Sequence, residues 1–185
     1  LDEDIRAILN SGDIHVTYNT TIGKDIPVKD IYEKHDAIFV GIGAQTGKTL
    51  RIEGADAGNV VSAVDILDQI GNGNLPDYTG KSVVVIGGGD TGNDCVGTCI
   101  RHGCKSVTQL EMMPKPPIER QKTNPWPQWP LVLKTDYGQE EAIAVFGHDP
   151  RIYQTTVKRF IPNAEGHLKA VETIKLQSVR DEKTG

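Results

Sequence analysis

The 185 residues contain no apolar run near the roughly 20 residues that a membrane-spanning helix needs, so no membrane partner is expected. Basic charge is in short supply: Lys and Arg number 20 against 25 Asp and Glu, a net charge of −5. A chain so balanced offers no general electrostatic attraction to a phosphate backbone, and no nucleic-acid partner is expected. Cysteine is scarce as well. Cys95, Cys99 and Cys104 are an odd number within ten residues and include no C-x-x-C. That count excludes a disulfide framework and an iron–sulfur cluster of the usual spacing, and it fits a reduced, cytoplasmic setting. Cys95 and Cys99 share one helical face with Val96 and Ile100, which makes them buried structural residues rather than a metal pair. His35, His102 and His148 show no ligand spacing, so no metal is expected. The acidic opening Leu1-Asp2-Glu3-Asp4 lacks the basic and apolar regions of a signal peptide, and Lys183-Thr184-Gly185 ends in what reads as mid-structure. The chain is expected to be a piece of a longer protein.

What is present is apolar patterning of two periods. Ile5, Ile8 and Leu9 predict a helix stopped by Ser11-Gly12. Ile14, Val16 and Tyr18 alternate as a half-buried strand should, and 28–34 predicts a short helix. The continuous apolar run Asp36–Gly43 predicts a fully buried strand of a parallel sheet. Ile66, Leu67 and Ile70 form a helical stripe. The breakers Gly71-Asn72-Gly73-Asn74 and Pro76 then place a domain boundary near residue 78.

Residues 82–111 carry the chemistry. A buried strand (82–86), a glycine turn, a helix (91–102) and a second strand (105–111) make a βαβ unit in about 30 residues. Its turn, Gly87-Gly88-Gly89-Asp90-Thr91-Gly92, satisfies G-x-G-x-x-G. Gly87 lets the chain leave the strand sharply, Gly89 lets the backbone approach a pyrophosphate, and Gly92 lets the helix pack on the strands. The helix amino end then offers N–H groups to phosphate. Asp90 would be repelled by a pyrophosphate and is better read as capping that helix. Glu111 lies 22 residues beyond Gly89, at the end of the second strand, where a carboxylate can bind the adenosine ribose. A carboxylate there disfavours a 2′-phosphate, so NADH is slightly favoured over NADPH, although Lys115, Arg120 and Lys122 follow closely enough to serve such a phosphate. Gly43-Ala44-Gln45-Thr46-Gly47-Lys48-Thr49 imitates an ATPase phosphate loop but has the wrong number of residues between its glycines. Residues 114–130 are too rich in proline for regular structure. Residues 153–160 and 168–179 predict a strand pair joined by Pro162-Asn163-Ala164-Glu165-Gly166.

From residue 36 onward the sequence resembles the glutamate synthase small-subunit family, flavoproteins of the pyridine nucleotide-disulphide oxidoreductase type. The likeness is densest over Val84–Cys95 and Ile100–Val107, and most specific at Asn124-Pro125-Trp126-Pro127-Gln128-Trp129-Pro130 and Asp136-Tyr137-Gly138. The resemblance implies an FAD domain interrupted in sequence by an NAD(P)H domain. Residues 1–78 would be a partial FAD-domain segment and crossover, and 79–185 an NAD(P)H-binding domain. The fold class implied is α/β: a Rossmann-like βαβ nucleotide-binding domain with a parallel sheet and an antiparallel strand pair, plus an incomplete FAD-domain portion. The activity implied is hydride transfer from NAD(P)H to FAD. Electrons would pass onward through iron–sulfur clusters to a glutamate synthase large subunit or an equivalent acceptor.

The cofactor-binding residues would be Gly87, Gly88, Gly89, Asp90, Thr91, Gly92, Glu111 and Arg120, and no side chain need act as acid or base. The FAD fingerprint and the segment that closes the FAD site do not occur in these residues, so the chain alone is expected to be inactive. Trp126 and Trp129 could stack on a nucleotide base or pack against the FAD domain or a partner. Other electron-input modules, of the ferredoxin:NADP transhydrogenase or dihydropyrimidine dehydrogenase kind, and a non-catalytic NAD(H)-sensing module are the alternatives.

Overall fold

A computed structural model of the chain describes residues 2–44 and 46–179. Gln45 of the phosphate-loop imitation and the terminal Lys183-Thr184-Gly185 lie outside them. The chain forms two compact units, Leu1–Gly43 and Ala44–Gly185.

The first unit holds two helices, α1 (Asp2–Leu9) and α2 (Val28–Lys34). Three acidic residues in the first turn of α1 suit the positive end of its dipole. Neither helix buries a residue. Two sequence expectations fail here. Residues 14–18 do not form a strand, and neither does the apolar run 36–43, whose Phe39 is 95% exposed. A β-strand is made by its ladder, and a parallel strand is buried only when neighbours flank it on both edges. Among the described residues of this unit the only pairing is an isolated bridge between Ile22 and Ile26.

The second unit is built on the βαβ frame. Strand β1 (Ser82–Ile86) and strand β2 (Ser106–Leu110) pair in parallel, with Ser82 opposite Ser106 and Ile86 opposite Leu110. Helix α4 (Asp90–Arg101) makes the crossover, and the short β3 (Arg151–Ile152) adds to the other edge of β2, also parallel. Before this frame comes α3 (Ala63–Gly71), its end placed by Gly71-Asn72-Gly73 as the breakers predict. Helix α5 (Tyr137–Phe146) packs on α4, and β4 (Thr155–Pro162) and β5 (Leu168–Lys175) form the expected antiparallel pair.

Two cores follow from the two faces of the sheet. On one, Val85 and Val107 meet Cys95, Val96 and Cys99 of α4 and Ala142 of α5, with Leu67 of α3 against them. On the other, Leu110 packs with Val157 and Phe160, joined by Ile52, Ala55 and Val60. The stretch between residues 44 and 78 thus packs into both cores. No helix among the described residues is long and apolar enough to cross a membrane.

All three cysteines are buried and free. Burial, with Asp94 nearby, pushes the Cys95 thiol up to about 11; burial, with Cys104 and Cys95 nearby, pushes Cys99 up to about 12. Burial raises Cys104 too. Thiolate, not thiol, is the nucleophile, so none should react with iodoacetamide at pH 8 in the folded protein, and all three should react once urea unfolds it. Native labelling of any of them at the rate of free cysteine would contradict this packing.

Candidate functional site

The glycine turn is assembled at the carboxyl ends of β1 and β2. Gly87 N donates to Leu110 O at 2.9 Å, which continues the ladder one residue past β1. Gly87 then adopts φ +118°, a conformation that L side chains rarely take, and the chain swings into α4. Gly89 is the N-cap, in extended geometry, and no side chain caps the helix. Its first-turn N–H groups therefore meet no side-chain acceptor, the arrangement that suits an anion. Gly92 is buried one turn later. A Cβ there would run into the Gly87 carbonyl and lie 2.8 Å from Gln109 Nε2.

Gly89 differs: a Cβ built on it would meet no atom within 4 Å. Among the described residues nothing in the packing requires glycine at that position.

Glu111 completes this cluster. Its carboxylate lies over Gly88, where any Cβ would strike it, and its Oε1 accepts from Met113 N at 2.7 Å. Gly88 and Glu111 line an open cleft of about 340 Å³, together with Met113, Trp129, Leu131, Lys134, Arg151 and Tyr153. Lys134 Nζ sits 4.4 Å from the centre of the Trp129 ring, and Arg151 Nη1 donates to Lys134 O at 2.7 Å, fastening that part of the lining to β3. Arg151 also grips Asp149 through two bonds, of 2.9 and 2.7 Å. Burial alone would raise the Asp149 carboxyl; the Arg151 hydrogen bonds override it and hold that carboxyl below its usual range.

The sequence-predicted residues Gly87, Gly88, Gly89, Asp90, Thr91, Gly92 and Glu111 are thus brought together. Asp90 does not cap α4. The N-cap falls at Gly89, so Asp90 is the first helical residue, exposed, and favourable only through the helix dipole. Arg120 is placed elsewhere. Its guanidinium donates to the carbonyls of Asn124 (3.1 Å) and Gln128 (3.0 Å), bracing the proline–tryptophan loop, and it does not line the cleft. Lys134 and Arg151 are the cations that do. Trp129 lines the cleft, whereas Trp126 does not and is 82% exposed.

The chain is similar in sequence to known proteins. The family model described as pyridine nucleotide-disulphide oxidoreductase matches residues 3–124. The chain belongs to that family. Among individual relatives, it is 41% identical over 178 residues to glutamate synthase [NADH] of Saccharomyces cerevisiae, covering 92% of this chain and 8% of that one. It is 39% identical over 191 residues to the glutamate synthase [NADPH] small chain of Bacillus subtilis, covering 98% and 38% respectively. The chain therefore spans under two fifths of either relative. A solved structure, FprA of Mycobacterium tuberculosis in complex with NADPH, aligns at 15% identity over 86% of this chain and 52% of its own, with a TM-score of 0.47.

Proposed function

We propose that this member of the oxidoreductase family carries the NAD(P)H-binding part of a glutamate synthase small-chain-like enzyme. In that reading, residues 79–185 hold the nucleotide and 1–78 are a partial FAD-domain segment and crossover. The observation that carries it is the pairing of an uncapped helix end and an open Gly89 with the Glu111 carboxylate at the neighbouring strand end. Pyrophosphate would rest on the turn, the N–H groups of the first turn of α4 would bind it, and Glu111 would accept from the adenosine ribose. Glu111 also disfavours a 2′-phosphate, which favours NADH.

Nicotinamide supplies the hydride, and FAD would be its acceptor, with electrons going on to a large subunit and glutamate synthesis. In this reading the part of residues 79–185 is to bind and orient the nucleotide. No acid or base is assigned. A reduced, cytoplasmic setting suits the free thiols.

Titration of the full-length protein with NADH and with NADPH tests this directly. Gly89→Ala should leave stability within about 0.5 kcal/mol, as a substitution into open space does, yet lower nucleotide affinity at least tenfold, about 1.4 kcal/mol. Unchanged affinity in Gly89→Ala, or no binding of either nucleotide by the wild type, would sink the proposal. A protein that binds nucleotide but never reduces a flavin would instead be a sensing module.

A further inference from the structure

Beneath the glycine turn runs a relay of buried amides. Gln109, on the same face of β2 as Val107, is fully buried, and Gln139 of α5 is 3% exposed. Gln109 Nε2 donates to Gly87 O at 2.9 Å, and its Oε1 accepts from Gln139 Nε2 at 3.1 Å. Gln139 Oε1 in turn accepts from Asp136 N at 2.8 Å. Both ends are backbone groups of fixed polarity: a carbonyl can only accept and an N–H can only donate. Each amide therefore has one allowed orientation, and flipping either would set like atoms against each other. Asn93 of α4 braces the far side, its Oδ1 accepting from Gly138 N at 3.0 Å and Gln139 N at 3.2 Å.

Core packing alone does not call for glutamine here. Leucine of similar volume would fill the space beside Val107 without burying an amide, which must be fully hydrogen-bonded to break even. The relay's upper end has a specific consequence. In a trans peptide the C=O and the next N–H point in opposite directions. Drawing the Gly87 oxygen inward onto Gln109 turns the Gly88 N–H outward, toward the turn's open side. The relay's lower end, Asp136, closely follows Leu131–Lys134, the wall of the cleft.

We propose that Gln109 and Gln139 are positioning residues for the dinucleotide, holding the Gly87–Gly88 peptide with its N–H facing the pyrophosphate and tying that turn to the cleft wall. This rests on the nucleotide reading of the site. With the relay cut, the peptide is free to present its oxygen to the phosphates, which repels them.

The test is a double-mutant cycle in the full-length protein with Gln109→Leu, Gln139→Leu and both, reading NADH affinity by calorimetry and folding by circular dichroism. Each single change should weaken binding by about tenfold, and the double variant should be no weaker than Gln109→Leu alone, because the relay acts as one unit. Gln139 does not touch the turn, so its effect must pass through Gln109; should Gln109→Leu fail to fold, Gln139→Leu carries the test. Folded variants that bind within twofold of wild type, or losses that simply multiply, would overturn the relay. Failure of the wild type to bind any dinucleotide would overturn the reading beneath it instead.

Discussion

Gly92→Val is expected to destabilise the protein by about 3 kcal/mol or more and to abolish nucleotide binding with it. The position is buried, and even the first side-chain carbon would overlap the Gly87 carbonyl, with the carbonyl carbon 3.2 Å away and Gln109 Nε2 at 2.8 Å. Neither neighbour can yield cheaply. The Gly87 carbonyl is main chain at a turn of φ +118°, and Gln109 is locked between Gly87 and Gln139. Pushing α4 away to make room would pull Val96 and Cys95 out of the core they share with β1 and β2. Urea denaturation gives the stability, and nucleotide titration of the folded fraction gives the affinity. The contrast with Gly89→Ala is the informative part. One glycine of the motif is demanded by the protein's own packing, and the other faces open space that the proposed pyrophosphate would fill. A Gly92→Val protein as stable as wild type would mean that α4 and β1 are not packed as closely as described.

The βαβ frame was legible because each of its parts is a local signal. Five apolar-rich residues ended by glycine predict β1 at its observed bounds. The stripe of Cys95, Val96 and Cys99 identifies the face of α4 that the core receives. The two strands expected at residues 14–18 and 36–43 were misread for the converse reason. Apolar patterning states what a segment would bury, but a ladder needs a partner that the pattern cannot supply.

Helix α5 is not marked by apolar periodicity, although its start is written in the sequence. Asp136 and Gln139 form a capping box, and Gly147 ends the helix at φ +80°. Its apolar residues, however, do not fall on one narrow stripe, so periodicity was silent. Gln109 carries no motif of its own. A polar residue at an inward position of a buried strand marks a hydrogen-bonded core amide, but the sequence cannot say that its partner is Gly87. Arg120 illustrates the limit of proximity in sequence: nine residues from Glu111, its guanidinium is taken up by two loop carbonyls, while Arg151, forty residues on, reaches the cleft through the β2–β3 pairing.

Arg151→Met should cost roughly 2 kcal/mol at pH 7 and loosen the proposed nucleotide site at the same time. Breaking a fully buried ion pair costs about 3–5 kcal/mol because the remaining charge is stranded; Arg151 is almost completely buried, but the Asp149 side chain keeps 31% exposure, and solvent screening reduces the figure. Methionine keeps much of the arginine stem's volume, so the loss reports on the charge and the hydrogen bonds rather than on a cavity.

The pH dependence follows from Asp149. Its folded-state carboxyl is held below the unfolded value of about 3.9, burial being outweighed by Arg151. The pair's contribution is therefore fully present above that unfolded value and is lost as pH falls through the folded one. In Arg151→Met the carboxyl, half-buried without its cation, takes up a proton more readily. The stability gap between the two proteins should then be widest near neutrality and close in acid. Urea denaturation at pH 7 and below pH 4 measures it, and a gap that does not narrow would show that the pair contributes nothing through charge. The same substitution frees the Lys134 carbonyl, to which Arg151 Nη1 donates at 2.7 Å, and with it the 131–134 segment that lines the cleft with Glu111. If the proposed site binds nucleotide, affinity should therefore fall at neutral pH even where the protein remains folded, because the ion pair holds part of the cleft lining.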